Sequence, residues 1–243
     1  MHKPLIILIL VIFFLPSCFA QQFPDLNTAA NCTYMKQVER EMIYEINVVR
    51  KKPQIYIQYL QKDLKEAQDR IKNEGIGIKY YSLETMIQTI DGTTKQTTDT
   101  IWFNLFEEEL NAIVSLINDL KGLNPLNILY PDQGIYRAAT LYGDDEEKHQ
   151  WALHHEGSDG SWPDARIKQY SPNMIHGSEN IAGMFPEPTA REIVIQLLVD
   201  SGIKGYGHRY NILNPRWTNV ACFCGGLNNG MYRWLQEFGE KEK

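Results

Sequence analysis

Apolar residues recur at helical spacing through much of the chain, and two strand-like runs follow near its end. They stand three or four positions apart from Val38 to Val49 and again from Phe106 to Leu120, where Gly122 follows as a stop. Two strand-like runs, Val220–Cys224 and Met231–Phe238, flank a segment rich in glycine and asparagine that is typical of a hairpin. Helices first and a hairpin last predict a single α+β domain built as a sandwich.

Local signals predict three further helices. Pro53 interrupts the first helical pattern, and apolar residues resume from Ile55 to Leu60. Another helix begins near Asp132. A capping box at Thr189–Glu192 opens a helix that runs to about Val199. In such a box the side chain of each of the two residues accepts a hydrogen bond from the backbone amide of the other.

Two stretches lack such periodicity. Residues 63–100 contain closely spaced glycines and a threonine-rich run, and we interpret them as an insertion or mobile loop within the domain. Residues 154–181 carry several glycines and prolines and are predicted to be mostly loop.

The N-terminus has the pattern of a secretory signal peptide. A short basic start precedes an apolar run from Leu5 to Leu15, and small residues up to Ala20 provide a cleavage site. The run is shorter than the roughly 20 apolar residues that span a bilayer. Lipidation of Cys18 is a weaker alternative, because Pro16 departs from a lipobox. We expect residues 1–20 to be a signal peptide and the mature chain to be secreted, or free in a secretory lumen, without a transmembrane anchor.

Charge excludes one class of partner. The net charge of the 243-residue chain is -6, and no basic stripe or arginine-rich tract is present. Nucleic acids and anionic membranes attract basic surfaces, so the sequence argues against both.

Cysteine usage limits what disulfides contribute. Cys32, Cys222 and Cys224 remain after signal removal, and an odd count implies one bridge with a free thiol or an intermolecular bond. Cys222 and Cys224 share one face of a strand and are poorly placed to pair. A bridge from Cys32 to one of them is our interpretation. The sequon at Asn31 predicts a glycan near the mature N-terminus, where its use would compete with that bridge.

Polar residues that could carry chemistry are concentrated in three segments of the C-terminal half, around His155, Glu179 and His208. Two imidazoles and a carboxylate suit Zn²⁺ or another divalent cation, with a position left for water. The same groups suit acid–base chemistry or simple bracing of loops. No His-Glu-x-x-His spacing is present, so the pattern alone leaves these readings open.

Four ordered motifs connect these segments. They are His155-Glu-Gly-Ser-Asp-Gly-Ser161, Ser178-Glu-Asn-Ile181, Gln196-Leu-Leu-Val-Asp-Ser-Gly202 and Gly207-His-Arg-Tyr-Asn-Ile212. They resemble the SCP (CAP) superfamily, which includes cysteine-rich secretory proteins, insect venom antigen 5 and plant pathogenesis-related proteins. A first-helix motif from Glu45 to Pro53 and a last strand at Tyr232–Phe238 extend the resemblance over about residues 34–240.

The resemblance implies a three-layer α-β-α sandwich with a central antiparallel sheet and an open cleft holding two histidines and two acidic residues. His155, Glu179 and His208 match three of these four positions. The fourth falls on Ser201, and Asp200 immediately before it is the candidate substitute if the helix end turns it inward. The same motifs assign structural roles to three further residues, Asn180, Arg209 and Asn211.

Three functions are compatible with this resemblance. The leading hypothesis is a non-catalytic extracellular binding module whose cleft binds a divalent cation and whose surface engages lipid, sterol or a protein partner. The second is a metal-assisted, peptidase-like hydrolase in which Glu179 is the general base. The third is a structural or adhesive protein. A shared fold does not separate these alternatives.

Overall fold

The computed structural model describes residues 22–90, 93–149, 154–184, 187–226 and 230–242. At residues 83–90 and 93–98 it describes the backbone alone. The predicted signal peptide at 1–20 lies outside these ranges. A short 3-10 helix (Pro24–Leu26) precedes the main elements. The helices are α1 (Gln37–Lys51), α2 (Pro53–Glu74), α3 (Leu105–Gly122), α4 (Gln133–His149), α5 (Pro163–Tyr170), α6 (Ala190–Val199) and α7 (Gly207–Leu213). The strands are β1 (Lys79–Ile90), β2 (Thr93–Asn104), β3 (Tyr130–Pro131), β4 (Met174–Met184), β5 (Asn219–Gly226) and β6 (Tyr232–Lys241).

A four-stranded sheet in the order β3-β5-β6-β4 forms the middle layer. β5, β6 and β4 pair antiparallel, and the short β3 pairs parallel to β5. Helices α1, α6 and α7 pack on one face, while α4 and α5 pack on the other. The α+β class and the three-layer sandwich with a largely antiparallel sheet are thereby confirmed.

The helices form where the sequence patterns place them. Pro53 starts α2 at a position where a missing N–H costs nothing, and it separates α2 from α1. The Thr189 side chain accepts from the Glu192 amide, and the Glu192 side chain accepts from the Thr189 amide, which is the predicted capping box. α1, α3 and α6 therefore begin and end within a few residues of expectation, whereas α2 runs past Leu60 to Glu74.

Arg50 ties the first helix to the far end of the chain. Its buried guanidinium donates to the carbonyls of Ile212 and Asn214 at 2.8 Å and to that of Asn127 at 3.0 Å. Buried carbonyls at a helix end need donors, and α7 ends at Leu213. Arg50 thus provides α7 with its C-terminal partners.

The two stretches interpreted as irregular are mostly regular. Residues 63–74 continue α2, because Leu60 and Ala67 are buried and Arg70 forms an ion pair with Glu109 of α3. Beyond α2, β1 and β2 form an antiparallel ribbon. Residues 163–170 and 174–184 form α5 and β4 rather than loop. Both stretches are regular because of contacts with other elements, and a local sequence pattern does not contain those contacts.

The predicted disulfide is wrong, since the three cysteines within the described ranges are free. Cys32 lies in a turn before α1, near the hydroxyl of Tyr34. Cys222 and Cys224 are buried on β5 under α1. Asn31 is exposed in the same turn, and its glycosylation stays a prediction.

The core begins earlier than the predicted start of the domain at residue 34, because Leu26 and Ala29 are fully buried in it. Within the described ranges, no helix has both the length and the apolarity that crossing a bilayer requires.

Candidate functional site

His155 and Glu179 form the first imidazole–carboxyl pair of the site. His155 lies in the loop between α4 and α5, and its Nδ1 is 2.8 Å from Oε1 of Glu179 on β4. The Glu179 side chain is completely buried, whereas that of His155 is 43% exposed. Arg166 of α5 donates to the other oxygen of Glu179 at 3.0 Å. Both oxygens of Glu179 therefore point to protein groups, and the imidazole is the part of the pair that solvent reaches.

His208 and Asp200 form the second pair. Nδ1 of His208 is 2.6 Å from Oδ1 of Asp200, and the His208 amide donates to Oδ2 at 2.9 Å. Asp200 caps α6 in the left-handed conformation, with φ of 57°, which aspartate tolerates better than most residues. That conformation turns the buried carboxylate inward, whereas the Ser201 hydroxyl meets the hydroxyl of Tyr80. Asp200, not Ser201, is therefore the residue that contacts His208.

An amide network fixes the segment between the two pairs. The Asn180 amide donates to the His208 carbonyl at 3.1 Å and to Gln236 at 3.0 Å. The Asn211 amide donates to the Asn180 side chain at 2.8 Å and to the Glu179 carbonyl at 3.3 Å. The predicted structural residues Asn180 and Asn211 thus hold β4 against α7, which keeps the two imidazoles on neighbouring elements.

Arg209, the third predicted structural residue, points away from the imidazoles. Its buried guanidinium donates to the carbonyls of Ala112, Leu198 and Val199 and pairs with Asp119 at 2.8 Å. It therefore joins α3, α6 and α7 and secures the helix that carries His208.

A cluster of buried charged residues lies next to the pair of His155 and Glu179. Glu237 of β6 lies directly across the ladder from Glu179 and is completely buried. Arg233 forms an ion pair with Glu146 of α4 at 3.0 Å, and both side chains are completely buried. With Arg166, the cluster holds three carboxyl groups and two guanidinium groups. Burial of an unbalanced charge is costly, so one carboxyl is expected to hold a proton.

Glu237 is the carboxyl that we expect to hold this proton. Neither of its oxygens has an N–H or O–H donor among the described residues, whereas Glu179 accepts from Arg166. A proton on Glu237 allows it to donate to Glu179. Burial raises the pKa of both carboxyls, and the neighbouring Glu179 raises that of Glu237 further. We therefore expect the two acids to titrate as a coupled pair, with the proton on Glu237.

If a metal ion binds at this site, the two imidazoles are the groups that would hold it. Ionised carboxylates only accept, so Nδ1 of each histidine carries the proton and Nε2 keeps its lone pair. Metal-binding histidines in proteins commonly donate their second nitrogen to a carboxylate in this way. Burial and nearby His208 lower the pKa of His155, which favours the neutral form that binds metal. Glu179 and Asp200, predicted as ligands, each contact an imidazole through its Nδ1.

Direct ligands are few. Within the described ranges, no three side chains of histidine, cysteine, aspartate or glutamate come together in a way that would hold a metal ion. His155 and His208 would therefore hold a cation together with water or an external ligand.

Comparison with known proteins finds distant structural neighbours. The chain is similar to an outer surface protein of Borrelia burgdorferi, with 18% identity and a TM-score of 0.42 over 56% of this chain and 95% of that one. It is also similar to an extracellular protein from Bacillus anthracis containing a SCP domain, with 14% identity and a TM-score of 0.38 over 72% of this chain and 71% of that one. No protein-family model and no curated protein matches the chain.

Two residues of the candidate site lie outside the four motifs. Arg166 follows the first motif by five residues, and this closeness to a histidine motif is the sequence signal that points to it. Glu237 lies within the buried stretch of β6, and an acid at such a position points to a buried polar site. Pairing between β4 and β6 was needed to place it opposite Glu179.

Proposed function

We propose that the chain is an exported, non-catalytic binding module of SCP-like architecture that binds a divalent cation through His155 and His208. The observation that carries the proposal is that both imidazoles contact buried carboxylates through Nδ1, that both remain partly exposed, and that His208 lies near enough to lower the pKa of His155. Export is supported by the apolar run at Leu5–Leu15 and the cleavage pattern that follows it.

Binding is favoured over hydrolysis by the placement of Glu179. A general base must reach the water or substrate proton that it abstracts. The Glu179 side chain has no exposed surface, and its oxygens face His155 and Arg166. Asp200 is also buried, with both oxygens directed at His208. These contacts leave neither carboxylate positioned to activate a water molecule held in the cleft.

We expect the mature protein to bind one Zn²⁺ per chain at pH 7.5 in isothermal titration calorimetry, and His155→Ala or His208→Ala to abolish the binding. His176→Ala is the matched control, because this histidine is exposed on β4 and belongs to neither pair. Glu179→Gln should weaken binding about 10–100-fold by loosening the imidazole. Absence of Zn²⁺ binding by the parent, or equal binding by the His155→Ala/His208→Ala variant, would refute the proposal.

A further inference from the structure

β4 is the edge strand of the central sheet, and its backbone groups alternate between two directions. Even-numbered residues from His176 to Met184 face β6, and odd-numbered residues face outward. Two side-chain contacts agree with this assignment. The outward amide of Gly177 donates to Asp164 at 2.8 Å, and the outward carbonyl of Glu179 accepts from Asn211. The outer edge of β4 is therefore capped by side chains at its first two outward positions.

The next two outward positions are Ile181 and Gly183. Within the described part of the chain, no hydrogen bond from another group reaches their outward amides or carbonyls. The Ile181 side chain packs into the small core cluster under α4, so its backbone is what faces the edge. An edge with free donors and acceptors spaced two residues apart is a template for another strand.

These positions open into a large cavity. It has a volume of about 1030 Å³ and lies between β4, α6 and the helices α2 and α3. Apolar side chains of α3 and α6, including Ile113, Ile195 and Val199, form its walls. Asp200 and His208 also line it. The cavity therefore combines a free strand edge with apolar walls, which suits alternate side chains of an extended peptide.

Charge favours a basic occupant. The cavity is lined by four carboxylates, Asp63, Glu109, Glu192 and Asp200, against two guanidinium groups, Arg70 and Arg191. Arg70 pairs with Glu109, and Arg191 is engaged by Glu45 behind the lining. Asp63 and Glu192 form no ion pair with the lysines and arginines of the described ranges. The two carboxylates therefore remain to attract positive charge at the rim.

We propose that this cavity takes an extended basic peptide segment of a partner protein, which adds to the sheet as a strand on Ile181 and Gly183 of β4. Backbone hydrogen bonds to the two residues provide affinity, the apolar walls accept alternate side chains, and the rim carboxylates select lysine or arginine. The proposal goes beyond cation binding and does not depend on it, because neither imidazole forms the strand edge.

The test uses the mature chain and a short, fluorescently labelled peptide of alternating lysine and valine. Gly183→Pro removes the outward N–H but leaves the ladder to β6, because proline is tolerated on the outer side of an edge strand. Gly183→Ala is the matched control and keeps that N–H. We expect fluorescence anisotropy to show binding by the parent and the alanine variant and about tenfold weaker binding by the proline variant.

Two further arms use the unmodified protein. A peptide methylated on alternate backbone nitrogens keeps its side chains but loses donors, and it should bind about tenfold more weakly. Hydrogen exchange at the Ile181 and Gly183 amides should be fast in the free protein and slow with peptide bound. Equal binding by the methylated peptide, equal binding by the alanine and proline variants, or binding of myristate but not peptide would each overturn the proposal. None of these outcomes bears on whether the parent binds Zn²⁺, which the titration tests separately.

Discussion

Replacing Arg166 by methionine is expected to lower the free energy of unfolding by about 3–5 kcal/mol at neutral pH, because it leaves the carboxylate of Glu179 buried without its cation. Arg166 also donates to the carbonyls of His155 and Ser161 and stacks on the Tyr142 ring, so the loop that carries His155 loses its anchor. Urea unfolding measured by tryptophan fluorescence would give the change.

The control for this substitution is Arg137→Met. Arg137 is exposed and stacks on Tyr170, and its loss should cost under about 1 kcal/mol. Adding Glu179→Gln to Arg166→Met should recover part of the lost stability, since it removes the orphaned charge. A loss no larger than that of the control, or no recovery in the double variant, would contradict the assigned role of Arg166 as the counter-ion.

Replacing Glu237 by glutamine is expected to stabilise the protein increasingly as pH rises. Burial and Glu179 raise the pKa of Glu237, so the folded protein keeps a proton that the unfolded chain releases above its ordinary pKa. In that window the folded state binds more protons than the unfolded state, and stability falls as pH increases. Glutamine offers Glu179 the same donor without titrating.

The gain of Glu237→Gln over the parent should grow by about 1–3 kcal/mol between pH 5 and pH 8, given about 1.4 kcal/mol per unit of pKa. Urea unfolding at several pH values would measure it, with the exposed Glu242→Gln as a control. A difference that stays constant over this range would show that Glu237 does not hold the extra proton of the cluster.

The parts of the fold that the sequence predicts are those with a local physical cause. α1, α3 and α6 follow from apolar spacing, a proline or a capping box, all of which act within a few residues. The end of α2 and the strand β4 could not be predicted in this way. Residues 63–74 are helical because of contacts with α3, and β4 is a strand because of its pairing with β6.

In the candidate site too, local motifs predict some residues, and others depend on the folded structure. Motifs located His155, Glu179 and His208, and the structure brings each histidine to a carboxylate. The choice between Asp200 and Ser201 depended on one left-handed residue at the end of α6, which a sequence containing both side by side cannot decide. Glu237 depended on strand register, and register is a relation between distant segments.

The contacts of Arg50 have a consequence for the order in which the chain is built. The residue meets carbonyls 162 and 164 positions further along, and Glu179 becomes buried only when β6, near the C-terminus, pairs with β4. Closing such long loops costs entropy that only the complete set of contacts repays. During synthesis, therefore, Glu179 cannot be buried against Glu237 until the last strand is complete.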